Sequence, residues 1–230
     1  MDASPRFALV CRAIILSVGF CFVLGVSTPR AHAMEVTVQN DSVTDFSQVS
    51  IQAGFAASEQ AAVWLTSPCN GNIVGVQVFW ASLLGGTPSA LGDSIRIFQS
   101  GTFPTPGPIL EQLTGPLLND GFLNEFRFLD ENNTIPLMVP VTENQVFVVS
   151  FRFDAATPIT GPSVVTDING CQAGKNGIFA IPPSSWLSAC ALGVTGDFVI
   201  RAVVDCSVNP LIFADAFETG DTSAWTLTQP

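Results

Sequence analysis

The histidine that most nucleophilic catalytic sites need is nearly missing from this chain. Among 230 residues only His32 is a histidine, and tyrosine is absent. His32 lies in an N-terminal stretch that we expect to be removed. The remaining chain would then lack the base of a Ser-His-Asp or Cys-His site. Lys175, the only lysine, is the alternative activator of a serine, but residues 174–177 (Gly-Lys-Asn-Gly) are typical of a solvated turn.

Carboxylates are abundant, and two of them about 5–9 Å apart would suffice for glycoside hydrolysis. The chain has 19 acidic residues, but none of them falls in a paired spacing such as E-x-D-x-x-E. Asp130 and Glu131 are adjacent in a predicted turn, where we expect their side chains to diverge. The sequence therefore favours a protein without catalysis, and a divergent glycoside hydrolase is the less favoured alternative.

Two oxygen-rich turns are candidate calcium sites, since calcium takes about six to eight oxygen ligands. Residues 130–133 are Asp-Glu-Asn-Asn, and residues 167–170 are Asp-Ile-Asn-Gly. In the second turn Asp167 and Asn169 would be the ligands. The same residue types also form turns without a metal, so both interpretations stay open. No other cofactor is expected.

Trp186 is the candidate aromatic binding residue. It follows the segment Pro-Pro-Ser-Ser at 182–185, and an exposed indole there could stack on a sugar ring. A tryptophan held beside a disulfide would instead belong to the core. Trp64 and Trp80 lie within strand patterns, so we expect both of them to be core residues.

The first 33 residues predict a cleaved signal peptide. Two arginines precede an apolar run at 13–26, and Ala-His-Ala at 31–33 is typical of a cleavage site. The mature chain would begin at Met34 and would be secreted, periplasmic or located at the cell surface. A retained membrane anchor is the alternative, but the apolar run is short for a bilayer span.

Net charge limits the class of partner. The chain carries −11 at neutral pH, and residues 34–230 have five basic residues against 18 acidic residues. Such a surface repels phosphate backbones and anionic lipid head groups. Nucleic acid and membrane insertion of the mature chain are therefore not expected. Neutral polysaccharides, cell-surface proteins, cations and basic proteins stay open as partners.

Four cysteines follow the predicted signal peptide, and an even number in an exported protein predicts disulfide bonds. Three pairings are possible. We favour Cys171–Cys190, which would close a glycine-rich loop, and Cys69–Cys206, which would tie an early strand to the last strand. A metal site is the alternative, but no cysteine pair has zinc-knuckle spacing and no histidine is available.

Alternating strands must position these residues. Residues 144–153 alternate strictly, with Phe147, Val149, Phe151 and Phe153 on one face, which predicts a half-buried strand. Other segments with the same alternation are 72–80, 94–99, 124–129 and 197–205. Turn residues separate about ten such segments, and no amphipathic helix is evident. The pattern predicts an all-β fold, an antiparallel β-sandwich or jelly roll.

The predicted domain spans residues 34–206, and residues 207–230 form a C-terminal tail. Three loops of this scaffold would present a binding surface. They are residues 81–92, 101–108 and 167–191. Residues 101–108 hold three prolines, so we expect an exposed loop and no central strand there. Residues 81–92 form a loop that carries glycine, serine and proline, and residues 167–191 are the least regular part of the domain.

Residues 61–153 carry a resemblance to known proteins. The segments NGNIVGVQVFW, SIRIFQ and IPLMVPVTENQVFVVSF follow one another as in β-sandwich modules of unknown function from bacterial secreted proteins. In the last segment Asn144 stands where those modules usually have glycine, and Phe147 replaces a tyrosine. The resemblance implies a secreted β-sandwich, often found beside carbohydrate-active or cell-surface partners.

The tail carries a second resemblance. Residues 212–225, IFADAFETGDTSAW, are similar to an FxDGFExGDxSxW tail at the ends of many secreted Gram-negative bacterial proteins, with Ala216 in place of the usual glycine. The resemblance implies a bacterial secreted protein. Together these features predict a non-catalytic protein with a binding or surface-structural role, or alternatively a carbohydrate-binding accessory module.

Overall fold

The structure is a computed structural model that describes residues 34–154 and 163–206. The predicted signal peptide at 1–33 and the predicted tail at 207–230 lie outside the described residues. Most of the predicted loop at 154–162 lies outside them as well. Within the described part of the chain, no helix is long and apolar enough to cross a bilayer.

The described residues form short antiparallel strands and one 3₁₀ turn, so the predicted all-β fold is confirmed. The strands are β1 (Glu35–Val38), β2 (Ser50–Ala53), β3 (Gln60–Thr66), β4 (Gly71–Trp80), β5 (Ser89–Leu91), β6 (Ser94–Gln99), β7 (Ile109–Thr114), β8 (Leu117–Asn119), β9 (Phe122–Phe126), β10 (Val139–Val141), β11 (Val146–Arg152), β12 (Ser163–Thr166), β13 (Asn176–Ala180), β14 (Ser185–Ser188) and β15 (Ile200–Asp205). The 3₁₀ turn spans Cys190–Leu192.

Two sheets form the sandwich. The five-stranded sheet has the order β1-β15-β4-β10, and β9 pairs with β4 beside β10. The six-stranded sheet has the order β14-β13-β3-β11-β6-β7. The remaining strands form two small ribbons, β2 with β12 and β5 with β8.

The main core lies between the two sheets. Strand β11 turns Phe147, Val149 and Phe151 towards it, as its alternation predicts, and these side chains pack with Ile73 of β4 and Ile200 of β15. All five are at most 2 % exposed. Burying side chains of this size stabilises the fold by about 1.5–3 kcal/mol each.

The outer face of the six-stranded sheet is also covered. Val148 and Ser150, on the opposite side of β11, are fully buried. On this face Trp186, from the terminal strand β14 of the same sheet, packs against Trp64 and Phe98. Five residues form this surface, which we call the aromatic face: Trp64, Phe98, Phe103, Phe179 and Trp186. Trp64 is therefore buried, but outside the core between the sheets.

Close packing on the aromatic face requires glycine at position 177. A Cβ there would lie 2.7 Å from the Trp64 ring, which no side chain can tolerate without a shift of that ring. Trp64 is held in place by its Nε1, which donates a hydrogen bond to the Ser100 carbonyl oxygen at 3.1 Å. The indole therefore rests directly on the backbone of β13.

Two disulfide bonds join the pairs that the sequence favoured, Cys69 with Cys206 and Cys171 with Cys190. Their Cα atoms are 5.7 and 5.5 Å apart. The first bond links the residues flanking β4 and β15, the two neighbouring strands at the centre of the five-stranded sheet. The second closes the segment that contains the hairpin β13–β14.

The ribbon of β5 and β8 was not expected, because its residues fall within a predicted loop and a short unassigned stretch. Ala90 pairs with Leu118, which is 1 % exposed and belongs to the core. On the other side of the ribbon Leu91 lies opposite Leu117, and both are more than half exposed. The ribbon thus seals one edge of the sandwich and displays two leucines there.

Candidate binding cleft

An open cleft of about 640 Å³ lies at the edge of the sandwich where β7 ends. The ribbon of β5 and β8 forms one side of it, and the chain that follows β9 forms the other. We call it the edge cleft. Its apolar lining consists mainly of Leu91, Leu113, Leu117, Phe126, Phe128 and Leu129. Binding pockets for small molecules commonly have volumes of about 300–1,000 Å³.

Polar groups form the rim of the edge cleft, and a rigid turn supplies several of them. Asp130 accepts hydrogen bonds from the backbone N–H groups of Thr134 at 2.9 Å and Ile135 at 2.7 Å. Asn133 has a φ of 55°, in the left-handed region that asparagine tolerates. Asp130, Glu131 and Asn133 are thus presented at the rim on a turn held by its own hydrogen bonds.

Arg127 also lines the edge cleft, but its charge is already neutralised. Its Nη1 and Nη2 each donate to a Glu35 carboxylate oxygen at 2.8 Å, and its Nε donates to Glu125. Glu125 accepts a further hydrogen bond from Gln77 at 2.7 Å. The rim therefore carries surplus negative charge, which disfavours anionic ligands and leaves hydrogen-bond acceptors for neutral ones.

The pKa values of two rim carboxylates disfavour acid catalysis. Burial acts to raise the pKa of Glu125, but hydrogen bonds from Gln77 and Arg127 outweigh it, so this pKa lies below the ordinary glutamate value. The Thr134 hydroxyl and the Ile135 N–H lower the pKa of Asp130. A glycosidase needs a carboxylic acid whose pKa is raised, so that it is protonated near neutral pH. Glu125 and Asp130 are both shifted in the opposite direction.

Acidification is expected to weaken the contacts of Arg127. Its hydrogen bonds lower the pKa of Glu35, and the pKa of Glu125 is lowered as well. A carboxylate whose pKa is lower in the folded state than in the unfolded state stabilises the fold at pH values above its unfolded-state pKa. This stabilisation is lost as the pH falls through the folded-state pKa. Between about pH 5 and about pH 3 the protein should lose more stability than its Arg127→Met variant. The difference should be at most about 1 kcal/mol, because solvent screens the exposed pairs.

Thermal unfolding of both proteins across this pH range measures the difference. The Glu111→Gln variant is a control, since it removes an acidic side chain that forms no ion pair among the described residues. Identical pH profiles for the protein and its Arg127→Met variant would contradict the assignment of this stability to Arg127.

Trp186 lies far along the six-stranded sheet from the edge cleft, on the terminal strand β14. It is half-buried, and its ring centroid is 6.3 Å from those of both Trp64 and Phe98 and 5.5 Å from that of Phe179. All three contacts are edge-to-face, which fixes the indole within the aromatic face. Trp186 is thus neither a core residue between the sheets nor a fully exposed platform.

Asp167 and Asn169 lie in different environments. Asp167 is 1 % exposed and accepts hydrogen bonds from the backbone N–H groups of Ser42 at 2.9 Å and Asp197 at 2.8 Å. Asn169 is exposed. Among the described residues, no group of three or more acidic, cysteine or histidine side chains is positioned to hold a metal ion. The calcium site stays a prediction, and the hydrogen bonds assign Asp167 a structural role.

Asp197 is the second buried carboxylate of this region and was not singled out from the sequence. Its Oδ1 accepts a hydrogen bond from the backbone N–H of Gln172 at 2.8 Å and from Asn176 Nδ2 at 2.5 Å. Asn176 Oδ1 in turn accepts from the backbone N–H of Phe198 at 3.0 Å. These bonds hold the start of the Cys171–Cys190 segment against residues 197–198, which lead into β15. The sequence indicated only irregular structure in the segment 171–190.

The edge cleft itself was missed because its lining comes from separate parts of the chain. Of its lining, only residues of the turn 130–133 were considered from the sequence, as a candidate calcium site and, for Asp130 and Glu131, as a carboxylate pair. The available signal was the pair Phe126 and Phe128, which alternation placed on one face. Phe126 packs partly on the core, whereas β9 ends before Phe128 and leaves that ring to line the cleft.

No known protein family, curated protein or solved structure matches this chain. The resemblance of residues 61–153 to secreted bacterial modules therefore stays a prediction, as does the resemblance of the tail.

Proposed function

We propose that this protein is an exported, non-catalytic binding protein and that the edge cleft is its binding site for a neutral polysaccharide. The observation that supports the proposal is the combination of an apolar floor with a polar rim in a cleft of about 640 Å³. Sugar rings offer apolar faces to aromatic side chains and hydroxyl groups to carboxylates and amides. Phe126 and Phe128 would contact the sugar faces, and Asp130, Glu131 and Asn133 would accept or donate hydrogen bonds.

The acidic rim and the open shape of the edge cleft favour a neutral glycan as the ligand. Neutral glycans are not repelled by the acidic rim, whereas phosphate-bearing and other polyanionic ligands are. The cleft is open to solvent rather than enclosed, so a sugar unit of a longer chain could reach its floor. Export is supported by two disulfide bonds, which persist in oxidising compartments.

Retention on insoluble neutral polysaccharides tests the proposal. The protein is incubated with cellulose, xylan, mannan and chitin, with and without calcium, and the bound fraction is measured. We expect retention on at least one of them. Replacing Phe128 with alanine should weaken binding at least about tenfold, which corresponds to about 1.4 kcal/mol. The pelleted glycan is also assayed for released reducing ends, and none are expected.

Phe122→Ala is the matched control. Phe122 opens β9, is 66 % exposed and does not line the cleft, so its loss removes the same side chain without altering the site. Thermal unfolding of both variants checks that the fold is intact. Equal binding by the Phe128→Ala and Phe122→Ala variants would place the site elsewhere. Release of reducing ends would instead support the divergent glycoside hydrolase.

A further inference from the structure

Arg96 differs from the other arginines of the described chain. Arg127, Arg152 and Arg201 each form an ion pair with a carboxylate. Arg96 forms none with any described residue, and its Nε donates a hydrogen bond to Gln112 Oε1 at 2.8 Å. In a chain with such an excess of acidic residues, an arginine without a carboxylate partner is unexpected.

Arg96 points away from the main core. Its neighbours Ile95 and Ile97 belong to that core, so alternation turns Arg96 to the outer face of the six-stranded sheet. Across the sheet it pairs with Ser150 of β11 and Gln112 of β7. The side chain is half-buried, which strengthens its interaction with any ion that reaches it.

The surroundings of Arg96 leave its positive charge poorly compensated. Burial is the main cause that lowers its pKa, and the nearby Arg152 lowers it further. The carboxylate of Asp93 acts in the opposite direction, but it forms its ion pair with Arg152 at 2.8 Å. An arginine stays protonated at neutral pH despite such a shift. Arg96 therefore carries a positive charge that forms no direct ion pair with a carboxylate among the described residues.

Arg96 is next to the aromatic face. Phe98 follows it on the same side of β6, at a distance of about 7 Å along the strand. Phe98 contacts Trp186, whose half-buried indole is part of the surface. A guanidinium beside aromatic rings offers two complementary contacts, one for an anion and one for the apolar face of a ring.

We propose that Arg96 and the aromatic face form a second binding site, which takes a sugar that bears a carboxylate, that is, a uronic acid. The uronate carboxylate would accept hydrogen bonds from Arg96 Nη1 and Nη2, while Gln112 keeps Nε in place. The sugar ring would contact Trp186. This site lies on the outer face of the six-stranded sheet and does not depend on ligand binding in the edge cleft.

Short uronates suit this site better than long ones. A bidentate bond from arginine to a carboxylate is about twice as strong as a neutral hydrogen bond. Further carboxylates of a long polyuronate would meet an acidic surface and be repelled. A disaccharide is therefore the appropriate probe.

Isothermal titration with digalacturonate and with the neutral galactobiose tests the proposal, because the two disaccharides differ in their carboxylates. Digalacturonate should bind at least about tenfold more tightly. Arg96→Gln should abolish that preference, and Arg96→Lys should restore only part of it, because lysine cannot bind bidentately. Trp186→Ala should weaken digalacturonate binding without removing the preference for the acidic sugar.

Lys175→Gln is the matched control, since it removes one positive charge from the turn before β13 and should keep the preference. Thermal unfolding verifies that each variant is folded. If Arg96→Gln is unstable, Gln112→Ala provides the second test, with weaker digalacturonate binding expected. Equal binding of both disaccharides, an unchanged preference in Arg96→Gln, or equally tight binding of inorganic sulfate would overturn the uronate assignment.

Discussion

Replacing Arg201 with methionine is expected to lower the free energy of unfolding by about 3–5 kcal/mol. Arg201 Nε donates to Asp41 Oδ2 at 3.0 Å, and its Nη2 donates to Asp41 Oδ1 at 2.5 Å and to the Val43 carbonyl at 2.8 Å. Asp41 is only 3 % exposed. The substitution would leave its carboxylate buried without a counter-ion. Urea unfolding followed by tryptophan fluorescence measures the loss.

Arg127→Met is the control for this prediction, because Arg127 pairs with Glu35 on the same sheet but is 37 % exposed. Exposed pairs contribute about 0–1 kcal/mol, so this variant should lose far less stability. Adding Asp41→Asn to Arg201→Met should recover much of the loss, since no charge then stays buried. Similar losses in the Arg201→Met and Arg127→Met variants would contradict this account of the buried pair.

Removing the Cys69–Cys206 bond is expected to cost about 5 kcal/mol of unfolding free energy. The two cysteines are 137 residues apart, so the bond restricts most of the unfolded domain. Both side chains also pack against the main core. The Cys69→Ala/Cys206→Ala variant should therefore unfold at a much lower urea concentration.

Near Cys69, Gly71 admits no side chain, because a Cβ there would lie 2.1 Å from the Asp205 carbonyl oxygen.

The second disulfide supplies the matched comparison. Cys171 and Cys190 are 19 residues apart, and a loop of this length predicts a smaller loss, of about 3 kcal/mol, for Cys171→Ala/Cys190→Ala. Urea unfolding of the two double variants under identical conditions shows which of them loses more unfolding free energy. A larger loss for the Cys171→Ala/Cys190→Ala variant would contradict the loop-length account.

Strand prediction was most successful where alternation is uninterrupted. The face of β11 that carries Phe147, Val149 and Phe151 is buried against the other sheet, as period-two alternation predicts. The opposite face was expected to be exposed, but Val148 is fully buried. The continuous apolar run Ala-Ala-Val-Trp-Leu of β3 was the available signal, because strands covered on both faces lose their alternation.

The hairpin β13–β14 was not recognised because its turn contains Pro182 and Pro183, which suggested irregular structure. The prolines lie between the strands rather than within them, and Ser184 adopts a φ of 63° before β14 begins. Prolines at such positions remove no hydrogen bond from the sheet. Local composition therefore misled the prediction for the strand that carries Trp186.

The candidate sites were harder to predict than the fold. Trp186 was identified by residue type, but its contact Phe98 comes from β6, about 90 positions earlier in the sequence. Likewise the edge cleft forms only when the ribbon of β5 and β8 meets the chain after β9. Strand patterns define which residues share a face, but they do not specify which strands become neighbours.

The most direct test of the proposed binding function is to locate a bound neutral glycan by nuclear magnetic resonance. The isotopically labelled protein is titrated with a soluble oligosaccharide of the polysaccharide that retains it. Binding in the edge cleft predicts chemical-shift changes centred on residues 125–133 and on Leu91 and Leu117. Shift changes centred on β13 and β14, with none at residues 125–133, would contradict the assignment of the edge cleft as the site.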